Sequence, residues 1–143
     1  MQERIEADGA LLALIIRAQP RSHGVHFFTS SELSQQVANI CHPRGHLIPP
    51  HVHNPVAREV HLTQEVLVIR AGKLRVDFYS TERQYLESRI LGAGDIIVLI
   101  QGGHGFEVLE ELDMVEVKQG PYAGDQDKTR FEGVTTAGVR VRE

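Results

Sequence analysis

The sequence predicts an all-β fold in a single domain of 143 residues, and three observations support this. Short apolar runs recur along the chain, and glycine, proline, asparagine and aspartate separate them. Long segments with apolar residues at helical spacing are missing, and strands do not alternate with helices. Many short strands at even spacing are typical of a closed barrel or a jelly roll, so we expect one of these architectures rather than a parallel sheet.

The first half of the chain contains three apolar runs that predict strands, at residues 11–18, 24–29 and 36–41. Residues 46–53 are predicted to run extended, with Pro49 and Pro50 placing them at a sheet edge or barrel rim, because proline cannot donate a ladder hydrogen bond. Residues 54–63 are polar and predict a loop with a short strand.

The second half of the chain contains the strongest strand signals. Leu74, Val76 and Phe78 alternate with polar neighbours, which indicates a strand with one buried face. We expect a hairpin of residues 64–70 and 73–80 that closes at Ala71-Gly72. Further strands are predicted at residues 85–91, 96–100, 106–109 and 113–118, and a polar tail follows from residue 119 onward.

Composition excludes several classes of protein. The formal net charge of -4 and the scattered basic residues argue against a nucleic-acid partner, because phosphate binding needs a surplus of Lys and Arg. Cys41 is the only cysteine, so no internal disulfide can form. The apolar run at residues 9–16 is too short to span a bilayer, and acidic residues precede it, which is wrong for a signal peptide. We therefore expect a cytoplasmic protein that does not bind membranes.

A candidate metal site begins at His51-Val52-His53. On a strand, residues two apart point to the same side, so both imidazoles would enter one space. Glu65 begins the next strong strand, and His104 lies in a glycine-rich turn after another strand. Three imidazoles and one carboxylate form a mixed nitrogen and oxygen set that suits a divalent transition metal such as Fe, Mn, Ni, Zn or Cu.

The spacing of these residues resembles the two sequence motifs of the cupin superfamily. Gly45 is followed after five residues by His51-Val52-His53, and Glu65 is followed after six by Gly72, as in the first cupin motif. Gly94-Asp95, Gly102 and His104 resemble the second motif. The resemblance covers roughly residues 36–118 and implies a single-domain cupin jelly-roll barrel. It also implies that His51, His53, Glu65 and His104 are the metal ligands.

The chain departs from the cupin motifs in three places. The gap between His53 and Glu65 is longer than usual, which implies a loop insertion. Glu59 and His61 lie in that insertion and compete for the ligand roles, although only Glu65 keeps the spacing to Gly72 and begins an apolar strand. In the second motif the usual proline is Ile100, His104 comes one residue early, and Val108 replaces the usual asparagine.

The resemblance implies three functional alternatives. The first is a metal-dependent enzyme, dioxygenase-like or isomerase-like, that acts on a small polar metabolite, with a sugar as one candidate. The second is a non-catalytic cupin that binds or senses a small ligand, and the third is an emptied cupin that acts through its dimer interface. Cupins usually pair through N-terminal strands, so we expect residues 1–35 to contribute to a homodimer, residues 36–118 to form the barrel, and residues 119–143 to form the tail.

Overall fold

The computed structural model describes residues 2–143 and confirms the all-β prediction. The strands are β1 (Gln2–Ala7), β2 (Ala10–Ile16), β3 (Gly24–Phe27), β4 (Ala38–Cys41), β5 (Glu65–Tyr79), β6 (Tyr85–Gly92), β7 (Ile96–Leu99) and β8 (Gly103–Lys118). The helical segments described in this range are two 3₁₀ turns, and neither has the length or hydropathy of a membrane-spanning helix.

Six strands form one strongly curled antiparallel sheet, which makes half of a barrel. Its order is β1-β2-β7-β5-β6, and β8 pairs with the other edge of β5. Strands β3 and β4 form a separate two-stranded hairpin. The sequence did not predict β1, because charged residues dominate this segment and only Ile5 is buried in it. Both β1 and β2 belong to the main sheet.

The predicted hairpin at Ala71-Gly72 is wrong, because residues 65–79 form one continuous strand that bends there. The predicted strands at 106–109 and 113–118 are likewise parts of one strand, β8, which pairs with β5 along its whole length. The pairing register shifts between Ile69 and Leu74, which marks a series of β-bulges, and bulges bend a ladder. Gly72 has a φ of 88°, and a Cβ there would collide with the carbonyl of Glu111. Gly72 therefore allows β5 to bend at the point where the sequence had predicted a hairpin turn.

The core lies on both faces of the sheet. Leu67 and Ile69 from one half of β5 pack with Leu74, Val76 and Phe78 from the other half, inside the curl. On the opposite face, a second cluster contains buried residues of β2 and β7, and Phe28, Leu33 and Val37 cover it; its buried members are Leu14, Ile16, Val66, Val98 and Ile100. Strand β2 is therefore covered on both faces within one chain, which accounts for its apolar sequence without a partner.

A polar network fastens β2 to the turn before β7. The carboxylate of Asp95 accepts hydrogen bonds from the backbone N–H groups of Ala18, at 2.8 Å, and Gly92, at 3.0 Å. It also pairs with Arg17, which binds Glu3 of β1 at 2.6 Å. Burial lowers the pKa of Arg17, but hydrogen bonds to Glu3 and Asp95 outweigh it and leave that pKa raised.

The polar tail returns to the sheet and follows its β6 edge. The backbone N–H of Ser88 donates to Arg140, and the N–H of Arg142 donates to Ser88, so Val141 forms a parallel bridge with β6. The ring of Phe131 packs edge-on against Tyr79, and the Tyr79 hydroxyl accepts a hydrogen bond from the N–H of Val134. The tail is thus an ordered strap, which its irregular sequence did not predict.

Residues 42–62, which we call the arm, join β4 to β5 without forming a strand. The extended strand predicted at residues 46–53 and the short strand predicted within 54–63 are both absent there, and every residue from 43 to 63 is exposed. The hydrogen bonds and ion pairs of the arm stay within it: His46 bonds to Pro43, His51 to Pro49 and His61 to Glu59. The arm is therefore not part of the sheet of the half-barrel.

Candidate functional site

The curl of the sheet brings together two side chains from opposite ends of the β5–β8 ladder. Glu65 begins β5 opposite Lys118, whereas His104 near the start of β8 lies opposite Phe78. Nevertheless, Nε2 of His104 lies 3.3 Å from Oε2 of Glu65. A straight ladder would hold these residues tens of ångströms apart, at about 3.3 Å per residue. Two of the four predicted ligands therefore meet across the opening of the half-barrel.

The Glu65 carboxylate lies at the rim of the core. Its side chain is 12% exposed, and it shares the inner face of β5 with Leu67 and Ile69. The hydrogen bond with His104 lowers the pKa of Glu65 below its usual value, and this effect outweighs burial, which raises it. The carboxylate is therefore held in its ionised form, which is the form that binds a metal.

Glu116 and Lys118 complete a polar group around Glu65. Leu67 faces Glu116 across the ladder and Glu65 faces Lys118, so both β8 residues lie on the inner side of the sheet. A hydrogen bond with Glu116 and the charge of Lys118 also favour the ionised form of Glu65. The register thus places Glu116, rather than Val117, on the inner side of β8. Val117 faces outward with Val66.

Asp127 joins this group from the tail, although no sequence pattern indicated it. Its carboxylate accepts a 2.8 Å hydrogen bond from the Thr63 hydroxyl and lies 4.0 Å from Nζ of Lys118. The segment around Asp127 is a 3₁₀ turn in a polar stretch without periodicity, so no pattern pointed to a contact with β8.

The other two predicted ligands lie on the arm. The rings of His51 and His53 are close, with centroids 5.2 Å apart and planes at 71°. Both side chains are exposed, and the structure does not bring them to Glu65 and His104. The competing residues Glu59 and His61 also lie on the arm, where they pair with each other at 3.2 Å and are at least 78% exposed. Glu65, rather than Glu59, is thus the carboxylate that lies beside His104.

In residues 2–143 of the single chain, no three His, Cys, Asp or Glu side chains are grouped closely enough to hold a metal ion. The predicted ligands form two halves instead, a carboxylate–imidazole pair on the barrel and an imidazole pair on the arm. A cleft of about 500 Å³ lies between the arm and the start of the tail, lined by Val56, Arg58, Gln119 and their neighbours. It contains none of the four predicted ligands.

Comparison of the chain with family models, with curated proteins and with solved structures found no match in any of the three.

Proposed function

We propose that this chain is a metal-binding protein of the cupin type, a jelly-roll barrel that acts as an enzyme on a small polar metabolite. The contact between Glu65 and His104 carries the proposal. These residues stand 39 positions apart in the sequence and at opposite ends of one ladder, yet they meet at the opening of the curl. A cupin-type barrel with ligands at these positions would require this arrangement.

Glu65 and His104 provide donor atoms of the type that binds a divalent transition metal. One chain, however, brings only these two of the four predicted ligands together. A carboxylate and an imidazole are the hard and intermediate ligands that Fe, Mn, Ni, Zn and Cu accept. Protein sites for such metals usually have about three or four protein ligands, and His51 and His53 would supply the remaining two. In this proposal all four residues would hold the metal, and the metal would supply a Lewis acid for oxygen groups of a bound substrate.

The surroundings of Glu65 favour a ligand that is small and polar. Glu116, Lys118 and His104 present hydrogen-bonding groups of both signs beside it, and Phe106 and Val108 provide apolar surface on the same inner side of β8. An emptied barrel would be expected to fill this opening with large apolar side chains. Lys118 would bind an anionic or hydroxyl-rich substrate, and Glu116 would accept or return a proton. A sugar has this chemistry, as do other hydroxylated metabolites.

Metal analysis of the purified protein tests the proposal directly. After removal of metals with a chelator, the protein is loaded with Fe, Mn, Ni, Zn or Cu, dialysed, and its metal content is measured. We expect one of these ions to be retained, and Glu65→Gln and His104→Ala to reduce its affinity by at least about tenfold, in the range that loss of a ligand contact produces. Glu59→Gln is the matched control, since it removes an exposed carboxylate. Failure to retain any of the five ions would overturn the proposal.

Turnover separates the enzyme from a non-catalytic binding protein. The metal-loaded protein is incubated with a panel of sugars and hydroxy acids, with and without dioxygen, and products are detected by mass spectrometry. We expect turnover of at least one compound and its loss in Glu116→Gln with the metal retained. A panel in which compounds raise the melting temperature but none is converted would favour the binding protein instead.

A further inference from the structure

We infer that the half-barrel is completed by the arm of a second copy, which lies along the free edge of β8 in a reciprocally exchanged dimer. The inference follows from two surfaces of the same chain, an open strand edge and an unattached apolar segment. Within residues 2–143 the outer edge of β8 has no strand partner, and the apolar side chains of the arm cover no surface. Pairing the two would bury the side chains and complete the edge.

Strand β8 is an open edge of unusual length. It has 16 residues, and within the described chain its ladder hydrogen bonds go to β5 alone. No residue of β8 is buried, although nine of the fifteen residues of β5 are. Phe106 and Val108 are 41% and 56% exposed even though they lie on the inner side of the curl. A long, exposed edge of this kind is a template for pairing with another strand.

The arm has the complementary property of an apolar segment without a surface to cover. Leu47 and Val52 are 84% and 85% exposed, and Ile48, Val56 and Leu62 are exposed as well. Monomeric proteins rarely leave contiguous apolar patches larger than a few hundred Å² in water. The backbone between His46 and Thr63 makes no hydrogen bond to the rest of the described chain. An extended segment with free backbone groups is what an open edge binds.

The charges of the two surfaces also match. Strand β8 contains five acidic residues and one lysine: Glu107, Glu110, Glu111, Asp113, Glu116 and Lys118. Three of these carboxylates pair with basic side chains of β5, whereas Glu111 has no such pair there. The arm carries Arg44 and Arg58 against the single Glu59, together with five histidines. Opposite charge favours the arm over an unrelated acidic segment and fixes its register.

A second copy explains the arrangement better than closure of the arm onto its own β8. Four prolines, at positions 43, 49, 50 and 55, restrict the arm to extended backbone and oppose its folding back. At its C-terminal end the arm leads into the paired edge of its own β8, where the N–H of Gln119 donates to the carbonyl of Gln64 at 2.9 Å. It would have to reverse direction to reach the free edge of the same strand. An exchange between two copies satisfies both surfaces twice through one two-fold axis, so the assembly closes at a dimer.

The exchange has a consequence for the metal site, which rests on the proposed function. The arm of one copy would place His51 and His53 at the opening that holds Glu65 and His104 of the other copy. Each site would then be built from two chains, and the two incomplete ligand pairs of the single chain would become one complete set.

The oligomeric state tests the exchange without metal. Light scattering after size-exclusion chromatography in chelator should give a dimer mass at micromolar concentration. The double variant Ile48→Ser/Val52→Ser should weaken the dimer by at least about tenfold, because exposed anchors of the arm would be lost. Ile90→Ser, which changes an exposed apolar residue on β6, should leave the dimer unchanged. A monomer, or a dimer that the arm variant does not weaken, would overturn the inference.

A mixing experiment tests which chain supplies each half of the site. The arm variant His51→Ala/His53→Ala and the barrel variant Glu65→Gln/His104→Ala are unfolded together, refolded, and loaded with the metal that wild type retains. Random pairing makes about half of the dimers mixed, and each mixed dimer has one intact site out of two. The mixture should therefore hold about a quarter of the metal that wild type holds. Metal in wild type but none in the mixture would overturn the exchange and leave the proposed function standing. A dimer that binds no metal would leave the exchange standing and refute the function.

Discussion

One side of the sheet is covered by other parts of the chain, whereas the other side is exposed to solvent. On the side of β2 and β7, which we call the closed side, buried residues have apolar neighbours on both faces, and ion pairs fix the strand ends. On the side of β8, which we call the open side, one edge and much of both faces meet solvent. Strands β2 and β7 are apolar throughout, whereas five acidic residues interrupt the apolar residues of β8. The difference teaches that a continuous apolar strand is buried on both faces within this chain, whereas a strand interrupted by charged residues keeps an exposed edge.

The largest expected contrast is between core and open-side truncations. Ile15 is fully buried on the closed side, so Ile15→Ala should lower the free energy of unfolding by about 2–5 kcal/mol. Val108→Ala on the open side should change it by less than about 0.5 kcal/mol under conditions where the protein is monomeric, since half of Val108 is exposed. Urea unfolding at low protein concentration measures both. Equal losses would erase the distinction between the sides.

The bend that separates the two halves of β5 should be the next most sensitive point. Gly72→Ala should destabilise the fold by about 3 kcal/mol, because the strain of left-handed backbone adds to the collision with the Glu111 carbonyl. Gly92→Ala is the matched control, since it has open space around it and no positive φ. Thermal unfolding compares them, and a Gly72→Ala protein as stable as the control would show that the bend does not need glycine.

Loss of an ion pair should also lower the free energy of unfolding by different amounts on the two sides. Asp95→Ala leaves the backbone N–H of Ala18 without its acceptor on the closed side and should cost about 2 kcal/mol. Asp113→Ala removes a pair with Arg70 in which both side chains are more than half exposed, and it should cost less than about 1 kcal/mol. Chemical denaturation at low and high salt checks this, because only the exposed pair should weaken further in salt. A larger loss for Asp113→Ala would contradict the assignment of the open side.

The smallest expected effect is the pH dependence of the contact across the opening. Because the folded state lowers the pKa of Glu65, its ionised form stabilises the protein above the usual value of 4.5, and this contribution is lost as pH falls through the lowered pKa. The melting temperature of wild type should therefore exceed that of Glu65→Gln at pH 6 and approach it below pH 4.5. A difference that persists unchanged in acid would mean that the carboxylate charge does not matter.

The sequence predicted the strand content well where apolar alternation was strong. Strand β2 and the alternating half of β5 are confirmed, and the residues that were expected to face inward there are buried. The continuity of β5 through Gly72 was not predictable, because a glycine that turns a chain and one that bends a strand are identical in sequence. Only the partner strand β8 decides between them, and it lies some forty residues further along.

The candidate site was predictable in part. The spacing of Glu65 to Gly72 identified the carboxylate that lies beside His104, in preference to Glu59. Nothing in the sequence indicated that His51 and His53 would lie outside the half-barrel, because the same-side argument holds only if their segment forms a strand, and residues 46–53 form none. The metal ligation itself stays a prediction.

The strap at the C-terminus has a consequence for how copies of this chain add to one another. By bridging to β6 at Val141, it closes the edge opposite β8, while the short β1 edge carries alternating charges. A chain with one unpaired strand edge can pair with only one other chain, whereas a chain with two unpaired edges can add further chains and form a fibre. We expect removal of residues 139–143 to convert a discrete species into open-ended polymers, which light scattering would register as mass that keeps rising with concentration. In the exchanged dimer proposed above, residues 139–143 would thus limit assembly to two chains.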